Sequence, residues 1–280
     1  MEEVEEKSQV TTRGPDWAQL LIAAAGQLPP ILEAVTFHFG PWGSASAPVC
    51  LKCSDGVFRV LKGQQAGGRM LFNDQVIARL AQRIGAPVPK PALVSLPDVL
   101  VKAEARLTHM TAGVCHGLEF LDRHSDRLGV AHTDLTENRS RFASLAVLYG
   151  WAHASDHQQI YPNEPPPYVW SVDHGHFVGP SEPNWTIAIL EARGPAHVDS
   201  VLESGAALTK QELTRAVARL GDVSAANLAE DIAAAPAVWG VSAEEKIAFA
   251  TYMWRRRDDL LRAFASGAEN ATAGSGEVTP

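Results

Sequence analysis

Cysteine is nearly absent from this chain. Three occur in 280 residues, Cys50, Cys53 and Cys115, an odd number that supports no disulfide framework and fits a reducing compartment. Long apolar runs are missing too, since no stretch approaches the roughly 18 residues that cross a bilayer. The opening Met1-Glu2-Glu3-Val4-Glu5-Glu6-Lys7 is acidic where a secretory leader would be basic and then apolar, so a cytoplasmic protein with no membrane partner is expected. Basic charge is in short supply: the net charge of -8 argues against direct nucleic-acid binding, because a phosphate backbone demands a basic surface. The full GxGxxG fingerprint and the GK[ST] of a phosphate-binding P-loop are also missing, which excludes the two commonest nucleotide motifs. Cys50-Leu51-Lys52-Cys53 has the spacing of a zinc knuckle, but no second pair accompanies it and it lies in a strand-like run, so buried structural thiols are the expected reading. What the chain does have is apolar material: at 46% hydrophobic residues it can bury one large core or two modest lobes.

The first half reads as strands with one central helix. After a short helical segment from Asp16 to Ala25 come Val35–Phe39, a loop of small residues from Gly40 to Pro48, and Val49–Cys53. Strand, small-residue loop, strand is an arrangement in which backbone amides can approach a phosphate closely. Ser54-Asp55-Gly56 is a hairpin signal, and the returning strand Val57–Gly63 places Phe58, Val60 and Lys62 on one face by the period of two. An ammonium at the inner end of an apolar face either reaches solvent along its stem or meets an anion. The next segment, Arg69–Ile84, is an amphipathic helix with Asp74 in its early turns, and a carboxylate there is suited to aim that lysine. Gly85 to Pro91 ends the helix, Ala92–Leu96 is a strand, and a hairpin through Pro97-Asp98 leads to another at Val99–Ala103.

From about Arg106 the patterns lengthen. Gly113–Leu121 reads as a turn into a short helix, and Asn138–His153 as an amphipathic helix that runs into Asp156. Tyr168–Val172 is a strand that ends on Asp173, so two carboxylates converge across a hairpin-like return, an arrangement suited to metal–phosphate chemistry; alternatively each caps a turn or helix. Pro183-Asn184-Trp185 opens a variable region. Leu208–Leu220 and Ser242–Phe264 are helices, the second opened by a capping box of Ser242 with Glu245, and Arg255-Arg256-Arg257 reads as its solvated face. The expected organisation is a mobile tail over 1–15, a small lobe over 16–105, a helical lobe over 106–265 and a second mobile tail over 266–280.

The order of these elements resembles a bilobal kinase, and more narrowly the HipA-like kinase family. The resemblance rests on Val60-Leu61-Lys62-Gly63, on Leu71 to Leu80, on Gly85-Ala86-Pro87-Val88-Pro89, on Ser155-Asp156-His157-Gln158-Gln159 and on Ser171-Val172-Asp173-His174-Gly175. It covers roughly residues 36 to 184. It implies an α+β, protein-kinase-like fold with a small antiparallel β lobe carrying one helix and a larger helical lobe. It further implies an ATP- and Mg²⁺-dependent transfer of the γ-phosphoryl group to a hydroxyl of a protein or small molecule. Lys62 would contact nucleotide phosphates, Asp74 would pair with it, and Gly43, Ser44, Ala45 and Ser46 would cover the phosphates. Asp156 would orient or deprotonate the acceptor, and Asp173 with Gln159 would hold the metal. Toxin–antitoxin relatives imply a regulatory protein partner. The chain departs from the family where Asn usually flanks the catalytic Asp on both sides: Ala154 precedes Asp156, and Gln158, Gln159 and Ile160 follow it. Asp74 replaces the usual Glu. A pseudokinase that serves as a nucleotide-binding or interaction module is the alternative reading.

Overall fold

Asp55 starts the fold locally by taking the Val57 N–H on one carboxylate oxygen and pairing with Arg59 at 2.7 Å, which closes the turn between two strands. A computed structural model of the chain describes residues 14–179 and 185–272, with side chains as far as residue 265. Residues 1–13, Pro183 and Asn184, and residues 273–280 of the expected tails and variable region lie outside them. The strands flanking that turn are β2 (Val49–Cys53) and β3 (Phe58–Lys62), and β1 (Ile31–Phe39) pairs with β2 on its other side. With β4 (Pro91–Leu96) and β5 (Gly113–Glu119) they form a closed barrel in the order β1-β2-β3-β5-β4, in which β1 and β4 run parallel and all other pairs antiparallel. Leu51, Leu61, Val94, Leu96 and Cys115 fill its interior. The period of two then turns Val60 and Lys62 to the opposite face of β3 from Leu61.

Two segments here differ from expectation. Val99–Ala103 is not a strand but part of the helix α3 (Asp98–Ala103). Its β-branched residues are overruled by Pro97 at the start and an exposed Asp98–Lys102 pair at i,i+4, 2.6 Å apart. Gly113–Glu119 is not a turn into a helix but the strand that pairs with both β3 and β4. The barrel sheet therefore continues past the expected lobe boundary near residue 105.

The first three helices are α1 (Trp17–Ala25), α2 (Gly68–Ile84) and α3. Asp16 caps α1, and Gly85 ends α2 in the left-handed conformation at φ 65°. α1 lies not on the strands but on C-terminal helices: its Trp17 ring meets Trp254 edge-on at 5.8 Å. α4 (Thr136–Ala152) is buried around its whole circumference from Phe142 to Ala152, where a single apolar stripe is expected from the sequence, so it is the axis of the helical part. Around it pack α6 (Ser200–Gly205), α7 (Lys210–Ala218) and α9 (Ala243–Thr272), with α5 (Ile187–Ala192) and α8 (Ala225–Ala233) against α9. Capping boxes open α7 at Thr209 and Glu212 and α8 at Ser224 and Asn227, and Ser242 and Glu245 exchange the same two bonds ahead of α9. α9 continues to Thr272, past the expected start of the tail at 266.

Arg255, Arg256 and Arg257 are not a solvated face. Arg256 is 2% exposed and donates to the carbonyls of Gly150, Trp151 and Gly194; Arg257 donates to those of Leu220 and Gly221. Even the exposed Arg255 donates to the carbonyls of Leu190, Glu191 and Arg193. The run staples three chain segments to α9 through carbonyls that would otherwise lack donors. A small sheet of β6 (His124–Ser125), β7 (Gln159–Pro162) and β8 (Trp170–Ser171) bridges from the barrel to the helices. Among the described residues, no helix is long and apolar enough to cross a membrane.

Candidate functional site

A cavity of about 620 Å³ lies between the barrel with α2 and the segments of the small sheet β6–β8. β3 delivers Lys62 to its inner end, and the ammonium sits between two carboxylates, 2.9 Å from Oδ2 of Asp74 on α2 and 2.6 Å from Oδ1 of Asp173 after β8. Burial alone would pull the lysine's pKa down, but the two carboxylates outweigh it and hold it above the ordinary lysine value. The carboxylates respond differently. Asp74, 1% exposed, is pushed up by burial beyond what Lys62 restores, whereas Asp173, 28% exposed, is held below the usual carboxylate range because the nearby ammonium outweighs burial. Asp173 sits at φ 61°, a conformation in which Asp is one of the few tolerated side chains.

α2 also fixes the loop that carries Asp173. Asp74 accepts the His174 N–H on the oxygen not used by Lys62, and Asn73 donates to the carbonyls of Gly175 and Phe177 while accepting from the Trp185 indole. The approach is so close that a Cβ on Gly175 would stand 2.2 Å from Met70 Cγ and 3.0 Å from the Asp74 carboxylate, which requires glycine there. Beneath the loop, His174 Nε2, Ser171 Oγ and Tyr149 OH form a buried chain with spacings of 2.9 and 2.6 Å. Burial holds His174 down at about 4, so its ring is neutral at pH 7. His116, opposite Lys62 in the β3–β5 register, is held at about 3 by burial and by the lysine, and its Nδ1 meets Gln75 at 2.7 Å.

No family model matches the chain, and no curated protein sequence matches it. Solved structures do. The Helicobacter pylori proinflammatory kinase CtkA aligns over 87% of this chain and 100% of its own, with TM-score 0.56 and 9% identity. The fold is kinase-like. Two structures of the Golgi casein kinase, one with Mn/ADP bound, align over 89% of this chain and 77% of theirs, at TM-scores of 0.44 and 0.42 and identities of 12% and 11%.

Within this kinase-like fold the remaining sequence candidates divide. Gly43 and Ser44 line the cavity, with Phe39, Trp42 and Phe120 forming an aromatic wall beside them. Ala45 and Ser46 do not line it; Ser46 is buried beneath the loop, and its carbonyl accepts from Gln65. Asp156 is exposed in the turn between α4 and β7, takes the His157 N–H, and is not among the cavity-lining residues. Gln159 is turned away from the cavity: it is 3% exposed and donates to Tyr149 OH, while its neighbour Gln158 lines the cavity and reaches Asp126 at 3.4 Å. The alternation of β7 decides this, since adjacent residues face opposite sides of the sheet. Among the described residues no three His, Cys, Asp or Glu side chains cluster as a closed metal site. Asp173, Asp126 and Gln158 line the same cavity and are the kind of oxygen donors that could hold a hard cation which takes most of its ligands from water and phosphate. His116 escaped sequence reasoning, and His174 and Gln158, although they stand in the motifs that carry the resemblance, were assigned no place in the site. A His-Gly directly after the terminal acid of a strand was the one local signal for His174.

Proposed function

We propose that the chain is an ATP- and Mg²⁺-dependent phosphotransferase of the HipA-like kind, moving a γ-phosphoryl group to a hydroxyl of a protein or small molecule. The observation that carries this reading is the Lys62 ammonium held between Asp74 and Asp173 at the inner end of a 620 Å³ cavity, with Gly43 and Ser44 on its wall. On this reading the barrel with α2 is a small nucleotide-binding lobe and the helices are the acceptor lobe. Lys62 binds the phosphates, Asp74 aims it, and Asp173 is the anionic partner for a divalent cation, which supplies charge neutralisation when bound. The metal's amide ligand is then Gln158 rather than Gln159. The transfer itself asks the protein for positioning and for charge placed around the phosphoryl group: the acceptor oxygen bonds to phosphorus, the bond to the ADP oxygen breaks, and Asp156 takes the acceptor's proton.

A second reading, a pseudokinase that binds nucleotide or a partner without turnover, is favoured by the exposed position of Asp156 outside the cavity lining. Thermal unfolding with a non-hydrolysable ATP analogue, with and without Mg²⁺, tests the site. Ligand at about a hundred times its dissociation constant adds roughly 2.7 kcal/mol to the folded state. The expected result is a Mg²⁺-dependent rise in Tm that Asp173→Asn abolishes. No rise in the parent chain rejects nucleotide binding, and a rise with no phosphoryl transfer to any acceptor, itself included, selects the pseudokinase.

A further inference from the structure

A second cavity, of about 270 Å³, lies behind the Asp156 turn, away from the Lys62 cavity. Its walls are the C-terminal end of α4, the segment leading to α6, and Arg256 of α9. Gly150 makes it possible for these to meet, because a Cβ there would come within 2.0 Å of the His197 carbonyl oxygen. Arg193, the 2% exposed Arg256 and Ser200 line it from three different parts of the chain.

Neither arginine has a carboxylate within 4.0 Å among the described residues. Arg256 donates three of its N–H groups to the carbonyls of Gly150, Trp151 and Gly194, which neutralises the end of α4 but leaves donors over. Arg193 donates to His153 Nε2 at 2.8 Å and to the Val178 carbonyl, again with donors to spare. The one carboxylate in the wall is Asp199, and it is already engaged: one oxygen caps α6 through the Leu202 N–H and the other meets His157 Nε2 at 2.9 Å. Asp259 on α9 also acts on Arg256, but its oxygens are engaged by the Ala196 N–H and by Arg262, so two guanidiniums stand against carboxylates that are already committed, in a chain whose net charge is -8. The imbalance registers on neighbouring groups. Burial, then Arg193 and Arg256, hold His153 down at about 4, and burial pulls Arg256 below its ordinary value where the carboxylate-paired Arg59, Arg83 and Arg139 lie above theirs.

A concave site with two guanidiniums from different elements is matched by a dianion with several acceptor oxygens, which both forks can grip. We propose that this cavity binds a phosphate group through Arg193 and Arg256, directly behind the His153–Asp156 turn. The site is separate from the nucleotide cavity and stands whether or not the chain turns over ATP. Its occupant shares one chemistry, a tetrahedral phosphate, whether carried on a phosphorylated side chain or free in solution.

Calorimetric titration of the full chain with inorganic phosphate and with a phosphoserine peptide tests the proposal. Saturable binding is expected in the parent and in Lys62→Ala, weakened tenfold or more in Arg193→Ala and in Ser200→Asp, which sets a carboxylate on the rim. The ring of His153, followed by NMR, should titrate at higher pH once phosphate offsets the arginine charge. A peptide bound at least tenfold tighter than inorganic phosphate assigns a phosphorylated polypeptide, and equal affinities assign free phosphate; both uphold the site. Absence of saturable binding, undiminished binding in both Arg193→Ala and Ser200→Asp, or loss of binding in a Lys62→Ala chain shown by circular dichroism to be folded overturns it.

Discussion

The two ends of the main cavity are built on different terms. At the inner end Lys62, Asp74, Asp173 and the His174 backbone hold one another through bonds of 2.6 to 2.9 Å, and three of the four groups are buried. At the outer end Asp126 is exposed and Gln158 reaches it only at 3.4 Å, and Asp156, in the turn beyond the cavity lining, is exposed as well. A buried charge must be compensated by neighbours in place before any ligand arrives, whereas an exposed one is compensated by water. The inner end is therefore pre-organised and contributes to folding, and the outer end is free to adapt to what binds.

That contrast breaks most directly at its centre. Lys62→Ala leaves Asp74 and Asp173 facing each other without a cation, and removing one partner of a buried pair typically costs about 3–5 kcal/mol. Urea unfolding should show this loss at pH 7 and a smaller one at pH 5, where the deserted carboxylates can protonate. An equal loss at both values would mean that the lysine acts by packing alone.

Acid is the next lever. His174 and His116 are held near 4 and 3 in the folded chain, below the ordinary 6.5 of an unfolded histidine. Depressed folded values mean that their contribution is fully present above pH 6.5 and is lost as pH falls from there toward 4. Each unmatched proton gives a slope of up to about 1.4 kcal/mol per pH unit. Asp74, pushed up by burial, works in the opposite sense, because a raised folded value adds stability as pH falls. His174→Asn should lower the slope between pH 6.5 and 4 by close to one proton, read from unfolding free energies across that window; an unchanged slope would remove His174 from the account. Gly175→Ala tests the same clamp sterically. Its methyl group must displace Met70 and crowd Asp74, a kind of overpacking that costs about 1–3 kcal/mol, and a melting temperature within a degree of the parent would show that α2 gives way freely.

The same contrast explains what could be read from the sequence. Lys62 was legible because a short strand with one charged member on an otherwise apolar face has few ways to satisfy that charge, and the helix with Asp74 followed directly. β5 was not, because a strand paired on both sides and buried over Cys115–Leu118 carries no alternation, and Gly113 and Gly117 within it read as turn residues. The Arg255–Arg257 run was misread for a related reason. Its partners are backbone carbonyls 36 to 106 residues away, and carbonyls leave no mark in a side-chain pattern. Side chains that answer buried charge through nearby elements were recoverable; those that answer distant backbone were not.

The smallest effects fall at the outer end, where a single residue of register separates two glutamines. Gln159→Leu removes a buried hydrogen bond to Tyr149 and should cost about 1 kcal/mol of stability, with the Mg²⁺ dependence of nucleotide binding intact. Gln158→Leu should leave stability within about 0.5 kcal/mol of the parent, as surface changes do, yet weaken that Mg²⁺ dependence. Asp156→Asn belongs with Gln158→Leu in stability and differs only in turnover, which it should abolish. If instead Gln159→Leu carries the metal effect, β7 must shift its register by one residue on binding, and the outer end adapts by moving a strand rather than by reorienting side chains.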